Sequence, residues 1–340
     1  MSTISLFDKY VDLQFYGKSN NPKSPDFSVI TPGSPNSSFP TKSLPPGVSP
    51  LVLAPTMNRK PEITITGTFV NTVGVPGLSI RVTNLAAPFP IWLYADKFMD
   101  SLLVVEAGYI SDPRTAAQFK GKIMTASEEK PGPDSITNIT LLLGEFNNYM
   151  TNPVPSHTFS GGSTIGDVVN FVIPYMNNTS QFFSYKAVDS PSDRALSYPL
   201  MRQHYSTPGG SVNDIFNDLK NEYLLNIQVF GELIRVTHRY MAFTESPWEL
   251  NYVTSATKDA ASYHIKAPWI PGILPNDQIK FNPKIFNQSL GGAQAGPVSA
   301  IQNVITVSFE FSTTGRTNTM ELFTLDPPAP TWNDFTRMPW

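Results

Sequence analysis

Four histidines, His157, His204, His238 and His264, are the residues whose type best suits acid–base or metal chemistry. No two of them have the close spacing with which a helix aims two imidazoles at one zinc ion. His238 ends an alternating apolar run and reads as an ordinary strand residue. Glu128 and Glu129 stand before Lys130 and read as a solvated charge cluster in a turn between strands. A glycosidase would need two carboxylates that converge in space, a condition only the fold can test. "GGSTIGD" from Gly161 and "LGGAQAGP" from Leu290 are glycine-rich. Neither ends in Gly-Lys-Ser/Thr or joins a strand to a helix in a βαβ unit, so both read as turns. No Gly-x-Ser-x-Gly elbow occurs. The absence of cysteine excludes disulfides and cysteine-ligated zinc or iron–sulfur sites. The expectation is a chain with no catalytic residue, no cofactor and no metal, and so not an enzyme.

The composition points the same way. Of 340 residues, 40% are hydrophobic and 15% charged, against about 25% charged in an ordinary globular domain. The formal net charge is −3 and no lysine or arginine run is present, which argues against a dedicated nucleic-acid surface. The opening "MSTISLFDKYVDLQFYG" has Asp8 and Asp12 among its apolar residues and lacks a signal-peptide core. No apolar run reaches the roughly 18 residues of a membrane helix, so no membrane span is expected. The 32 prolines and 21 glycines favour short strands and turns over helical architecture.

The elements follow from spacing. Residues 4–16 alternate loosely, as a first strand would. Residues 18–60 carry so dense a proline run that helix and central strand are both forbidden; this is a surface linker or an extended arm across a neighbouring subunit. From Glu62 the chain alternates. "EITITGTFV" places Ile63, Ile65 and Gly67 on one face, and "LSIRVTNL", "SLLVVEAGYI", "QFKGKIMTASEE" and "DSITNITLLLGE" follow as further strands. The middle is different. Thr164 and Asp167 form a capping-box pattern before Ile165, Val168, Val169 and Val172, which have helical spacing, and Pro174 should end or kink that helix. "QFFSYKAV" reads as a strand. Ser211 and Asp214 cap a second helix whose apolar stripe is Val212, Ile215, Phe216, Leu219 and Tyr223. A hairpin with a Gly231-Glu232 turn comes next. That turn pairs Val229 with Ile234 and Ile227 with Val236 on one face. It pairs Gln228 with Arg235 and Asn226 with Thr237 on the other. From Tyr263 to Leu325 the chain is β again. In "IQNVITVSFEFS", strict alternation sets Val304, Thr306, Ser308 and Glu310 against Ile305, Val307, Phe309 and Phe311. The end, "DPPAPTWNDFTRMPW", is rich in proline and carries Trp332, Phe335 and Trp340. Aromatics of this kind anchor interfaces, so these three are the candidate partner-docking residues.

The fold class expected is mainly β with a small α+β middle region: two small tube-like β-barrel domains plus helix–hairpin units. The divisions are an N-terminal strand and proline-rich arm at 1–60, a first β-barrel domain at 61–158, an α+β middle domain at 159–250, a second β-barrel domain at 251–325, and a proline/aromatic tail at 326–340.

The order of these elements resembles the hub proteins at the base of phage tails and related contractile injection machines. "VVEAGYISDPRTAAQFKGKI" is similar to the family's paired strands, with an Ala-Gly-Tyr end, a variable loop, then an aromatic, a glycine and Ile123. "GPDSITNITLLLGE" is similar to the turn and strand that follow. "TFSGGSTIGDVV" resembles the start of the middle domain, Ser211–Val236 its helix plus hairpin, and "GILPNDQIKF" the strand entering the second barrel. The long proline-rich insert at 18–60 and the C-terminal tail depart from the pattern. The resemblance implies a homotrimer in the baseplate of the virion tail, assembled in the host cytoplasm. Such a hub joins a hexameric tail tube protein to a trimeric central spike protein, contacts other baseplate proteins, and leaves a channel that DNA passes without specific binding. A mildly acidic chain suits such a channel. The competing readings are a receptor-binding or adhesin β protein of a particle surface and a β-rich hydrolase of cell-wall polymers.

Overall fold

The computed structural model describes residues 9–16, 27–29, 62–70, 76–84, 101–110, 112–131, 134–144, 153–180, 182–191, 193–200, 205–207, 209–239, 241–244, 246–259, 262–282, 300–314 and 318–327. Most of the proline-rich arm, His204, most of the 290–300 loop, and the tail aromatics Trp332, Phe335 and Trp340 lie outside them.

The first β region contains β1 (Lys9–Tyr16), β2 (Phe27–Val29), β3 (Glu62–Val70), β4 (Gly77–Thr83), β5 (Leu102–Tyr109), β6 (Asp112–Glu129) and β7 (Ile136–Leu142). Apolar and hydroxyl residues alternate along β3, which buries Ile63, Ile65 and Phe69 and turns Thr64, Thr66 and Thr68 outward. Glu128 and Glu129 sit in the last residues of β6, opposite Thr137 and Ile136 of β7, so the strand runs through them and the turn comes later.

The middle holds β8 (Pro153–Val154), β9 (Thr158–Phe159), helix α1 (Ile165–Thr179), β10 (Lys186–Asp189), β11 (Tyr205–Ser206), β12 (Gly210–Ser211), helix α2 (Val212–Glu222), β13 (Leu225–Phe230) and β14 (Leu233–His238). Both helices open on complete capping boxes, Thr164 with Asp167 and Ser211 with Asp214. Each box satisfies two N-terminal donors that the helix itself leaves unpaired. Pro174 does not end α1, which continues to Thr179. Val168, Val169, Val172 and Met176 are buried on both sides of the proline, and this packing outweighs the lost backbone bond. Of the residues of "QFFSYKAV" described, from Phe182 onward, the strand starts only at Lys186 (Lys186–Asp189) and runs parallel to β14.

The last region contains β15 (Trp248–Glu249), β16 (Ser255–Asp259), β17 (Ser262–Ala267), β18 (Gln278–Phe281), β19 (Ala300–Ser312) and β20 (Asn318–Leu325). One sheet runs β16-β17-β20-β19-β3-β4-β7-β6-β5-β1-β2, with β18 attached to β19 and β15 to β18. The protein is therefore mainly β, with large antiparallel sheets. The two β regions meet where β19 pairs with β3, Phe311 opposite Ile65 and Ser308 opposite Thr68. One hydrophobic core serves both. Trp269 stacks on Phe309 at 4.8 Å, and Phe309 on Phe119 at 5.9 Å.

Strand β19 changes partner along its length, from β18 at residues 300–303 to β3 at residues 306–312. A bulge at Ile305 lies between the two. It shifts the side-chain parity, so Val304 is buried with Val307, Phe309 and Phe311. Strict alternation had placed Val304 on the opposite face. Strand β6 has a comparable irregularity between Ile123 and Thr125, where pairing passes from β5 to β7. Gly121 sits just before it. A Cβ there would lie 2.4 Å from the Leu142 carbonyl oxygen, so the glycine permits the close approach of β7.

Candidate assembly surface

Among the described residues, His157, His238, His264 and the Glu128–Glu129 pair do not converge on one site. His157 stacks on Phe171 at 4.6 Å and meets Phe159 edge-on. His238 is buried at the end of β14, where its backbone N–H donates to Asp193. His264 lies outside on β17, 3.5 Å from Glu321. Glu129 accepts from Asn138 at 3.1 Å and Glu128 faces Lys130 at 3.8 Å. Among the described residues no group of three or more His, Asp or Glu could hold a metal ion.

The polar groups that do converge join parts of the fold. Hairpin β13–β14 has the register its turn requires, with Val229 opposite Ile234, Ile227 opposite Val236, Gln228 opposite Arg235 and Asn226 opposite Thr237. Gly231 takes φ +59, the left-handed conformation such a turn needs. The aliphatic face packs on Val212, Ile215, Phe216 and Leu219 of α2 in a second hydrophobic core. The polar face is buried as well, against residues 276–277. Arg235 contacts Asp277 at 2.5 Å and Asn226 donates to Asn276 at 3.0 Å. The Arg235 guanidinium lies 3.8 Å from the centre of the Phe243 ring. Asp277 also accepts from the Leu274 N–H at 2.9 Å. Burial pushes the Asp277 carboxyl above the usual carboxylate range, against the pull of Arg235.

The tip of the hairpin reaches the other half of the sheet. Phe230 meets Phe69 edge-on at 5.0 Å, and Glu232 accepts from Lys120 of β6 at 2.6 Å and from the Ser184 N–H at 2.8 Å. One hairpin is thus anchored to α2, to the first β region and to the last. Its hydrophobic pattern revealed the contact with α2. Nothing local marked Arg235 and Asp277 as partners, because 42 positions separate them.

Surfaces that could meet another molecule lie on the outward face of the sheet. It carries hydroxyls, Thr64, Thr66 and Thr68 on β3, Ser79 on β4, Thr140 on β7, Thr306 and Ser308 on β19, interspersed with the charged Arg81, Glu310 and Glu321. Thr68 and Ser308 are hydrogen-bonded across the β3–β19 junction at 3.1 Å. One end of the face is apolar. Val70, Ile301, Phe323 and Leu325 are exposed by 47%, 43%, 44% and 42%. Val70 of β3 and Phe323 of β20 flank Thr306 on either side, Leu325 pairs with Asn303, and Ile301 pairs with Lys280 of β18. The alternation of "TMELFTL" carried this signal, since Phe323 and Leu325 share the parity of Glu321. The sequence's docking candidates, Trp332, Phe335 and Trp340, lie outside the described residues.

Comparison with known proteins gives no matching family model and no matching curated protein. Solved structures do match. The 43 kDa tail protein of prophage MuSo2 from Shewanella oneidensis is 9% identical, over 78% of this chain and 98% of that one, with a TM-score of 0.50. The tail protein from Neisseria meningitidis MC58 is 8% identical, over 77% of this chain and 91% of that one, with a TM-score of 0.49. An E. coli protein described as a component of the type VI secretion system is 11% identical, over 82% of this chain and 75% of that one, with a TM-score of 0.48. At these identities the likeness to the Shewanella tail protein is one of fold.

Proposed function

We propose that this chain is a structural, non-enzymatic component of a phage tail or a related injection machine. The observation that carries the reading is the fold shared with the Shewanella prophage tail protein across 98% of that protein's length. The dispersal of the described histidines and carboxylates into separate structural contacts is consistent with it.

Within that role the chain acts as a baseplate hub in the virion, assembled in the host cytoplasm. It forms a homotrimer in which the β regions at 61–158 and 251–325 build a tube-like ring and the α+β region at 159–250 ties them together. The ring joins a hexameric tail tube protein to a trimeric central spike protein, contacts other baseplate proteins, and lets DNA pass through its channel without specific binding. The tail from Asp326 onward, through Trp332, Phe335 and Trp340, docks onto a neighbouring protein.

Light scattering combined with co-assembly tests this reading. The expected result is a trimer that joins purified tube and spike proteins. A strict monomer at high concentration that joins neither would overturn it, and glycan-array binding by that monomer would establish the adhesin reading instead.

A further inference from the structure

We propose that hairpin β13–β14 and the turn at 274–277 form a clasp that opens as one unit, letting the α+β region release the last β region while it keeps its hold on the first. The proposal concerns the single chain and stands whether or not that chain assembles as a hub.

The hairpin has three anchorages, and they differ in chemistry. Two are apolar: its aliphatic face packs on α2, and Phe230 meets Phe69 of the first β region edge-on at 5.0 Å. The third is polar. Arg235 meets Asp277 at 2.5 Å, and Asn226 donates to Asn276 at 3.0 Å. All four residues are buried. Among the described residues the Arg235 Nη1 donor has no acceptor.

That difference decides which anchorage parts first. Opening an apolar contact exposes apolar area to water and costs free energy in proportion to it. Opening the polar contact returns two charges and two carboxamides to water. Hydration then recovers much of the desolvation cost of burying them, and Arg235 Nη1 gains an acceptor.

The same turn holds the place where β19 changes partner. The Asn276 N–H donates to the Val304 carbonyl at 2.8 Å, and the Val304 N–H donates to the Asp277 carbonyl at 2.9 Å. Val304 stands immediately before the bulge at Ile305, between the pairing with β18 and the pairing with β3. The chain leaving the hairpin ends on the turn as well. The Phe243 N–H donates to the Asn276 carbonyl at 2.8 Å, and the Gln278 N–H donates to the Thr244 hydroxyl at 3.2 Å. Side-chain bonds from the hairpin and backbone bonds from β19 thus meet on two residues. A turn that loses Arg235 and Asn226 also loosens Val304 and Phe243, which is the behaviour of a cooperative unit smaller than the whole fold.

Native-state hydrogen exchange of the full-length chain in increasing urea tests the clasp. The amides of Phe243, Asn276 and Val304 are expected to exchange through one opening with a common urea dependence. They should exchange at least about tenfold faster than the amides of Ile80 and Ile139, which lie in the paired strands β4 and β7 of the first β region. Asp277→Asn keeps the shape of the side chain and removes its charge, so it should speed all three amides by one shared factor of at least about ten. Three amides that exchange only as slowly as Ile80 and Ile139 would overturn the proposal. So would three separate urea dependences in the native chain, or an absent or unequal acceleration in Asp277→Asn. The native chain alone decides the matter if that variant does not fold.

Discussion

Arg235 of β14 and Asp277, in the turn before β18, form an ion pair at 2.5 Å with side chains only 5% and 2% exposed. The pair joins the hairpin of the α+β region to the last β region. Two charges taken out of water are costly, and their attraction offsets that cost only while both remain. Removing one partner should be worse than removing both.

Asp277→Ala is expected to destabilise the fold by about 3–5 kcal/mol, because it leaves the guanidinium buried without its counter-charge. Arg235→Met combined with Asp277→Leu should recover most of that loss. Urea denaturation of the three proteins measures it. A double variant no more stable than the single one would show that the pair is not the source.

Ser211→Ala should cost about 1 kcal/mol, since the Ser211 hydroxyl accepts from the Asp214 N–H at 3.2 Å and caps α2. Asp214 adds a pH dependence. The Ser211 backbone N–H, and then its hydroxyl, hold the Asp214 carboxyl below its usual range. A carboxylate depressed in the folded state contributes stability above its unfolded pKa, about 3.9, and loses it as pH falls through the lower folded value. The Tm advantage of the native chain over Asp214→Asn should shrink as pH falls below about 4. A constant difference would count against the assignment.

Gly121→Ala should destabilise by about 1–3 kcal/mol through overpacking. The added methyl would meet the Leu142 carbonyl oxygen at 2.4 Å and Leu141 Cγ at 2.6 Å. Gly231→Asn is the contrasting variant. Nothing lies within 4 Å of a Cβ there, and asparagine tolerates the left-handed backbone. Chemical denaturation that ranks Gly231→Asn as the more damaging would refute this account of the strand handover.

Pro174→Ala should raise Tm. Proline inside a helix costs about 3 kcal/mol relative to alanine. Pro174 is exposed within α1, so the substitution forfeits little packing. A lowered Tm in a thermal melt would mean that the proline shapes a contact the helix depends on.

Truncation after Asp326 should leave Tm unchanged, because β20 and its inward residues Met320, Leu322 and Thr324 are complete before that point. It should weaken attachment to a neighbouring protein, measured by pull-down or sizing. Unchanged assembly would remove the docking role of Trp332, Phe335 and Trp340.

What the sequence determined by itself was local. Ser211 and Asp214 cap a helix, Gly231 turns a hairpin, and that turn sets Val229 opposite Ile234, because each relation is decided within a few residues by hydrogen-bond geometry and side-chain period. Alternation likewise revealed the strands and the mainly β class. Three things required the tertiary structure. Pro174 sits inside α1 because the packing of Val172 and Met176 outweighs its local preference. Val304 turns inward because β19 exchanges β18 for β3 at a bulge, a demand imposed by partners far away in sequence. Arg235 and Asp277 became partners because two regions fold against each other, and a buried charge must find its counter-charge wherever the chain brings one. Contacts that cross long stretches of chain leave no periodic trace in either segment, so the joints between the regions were decided by the fold alone.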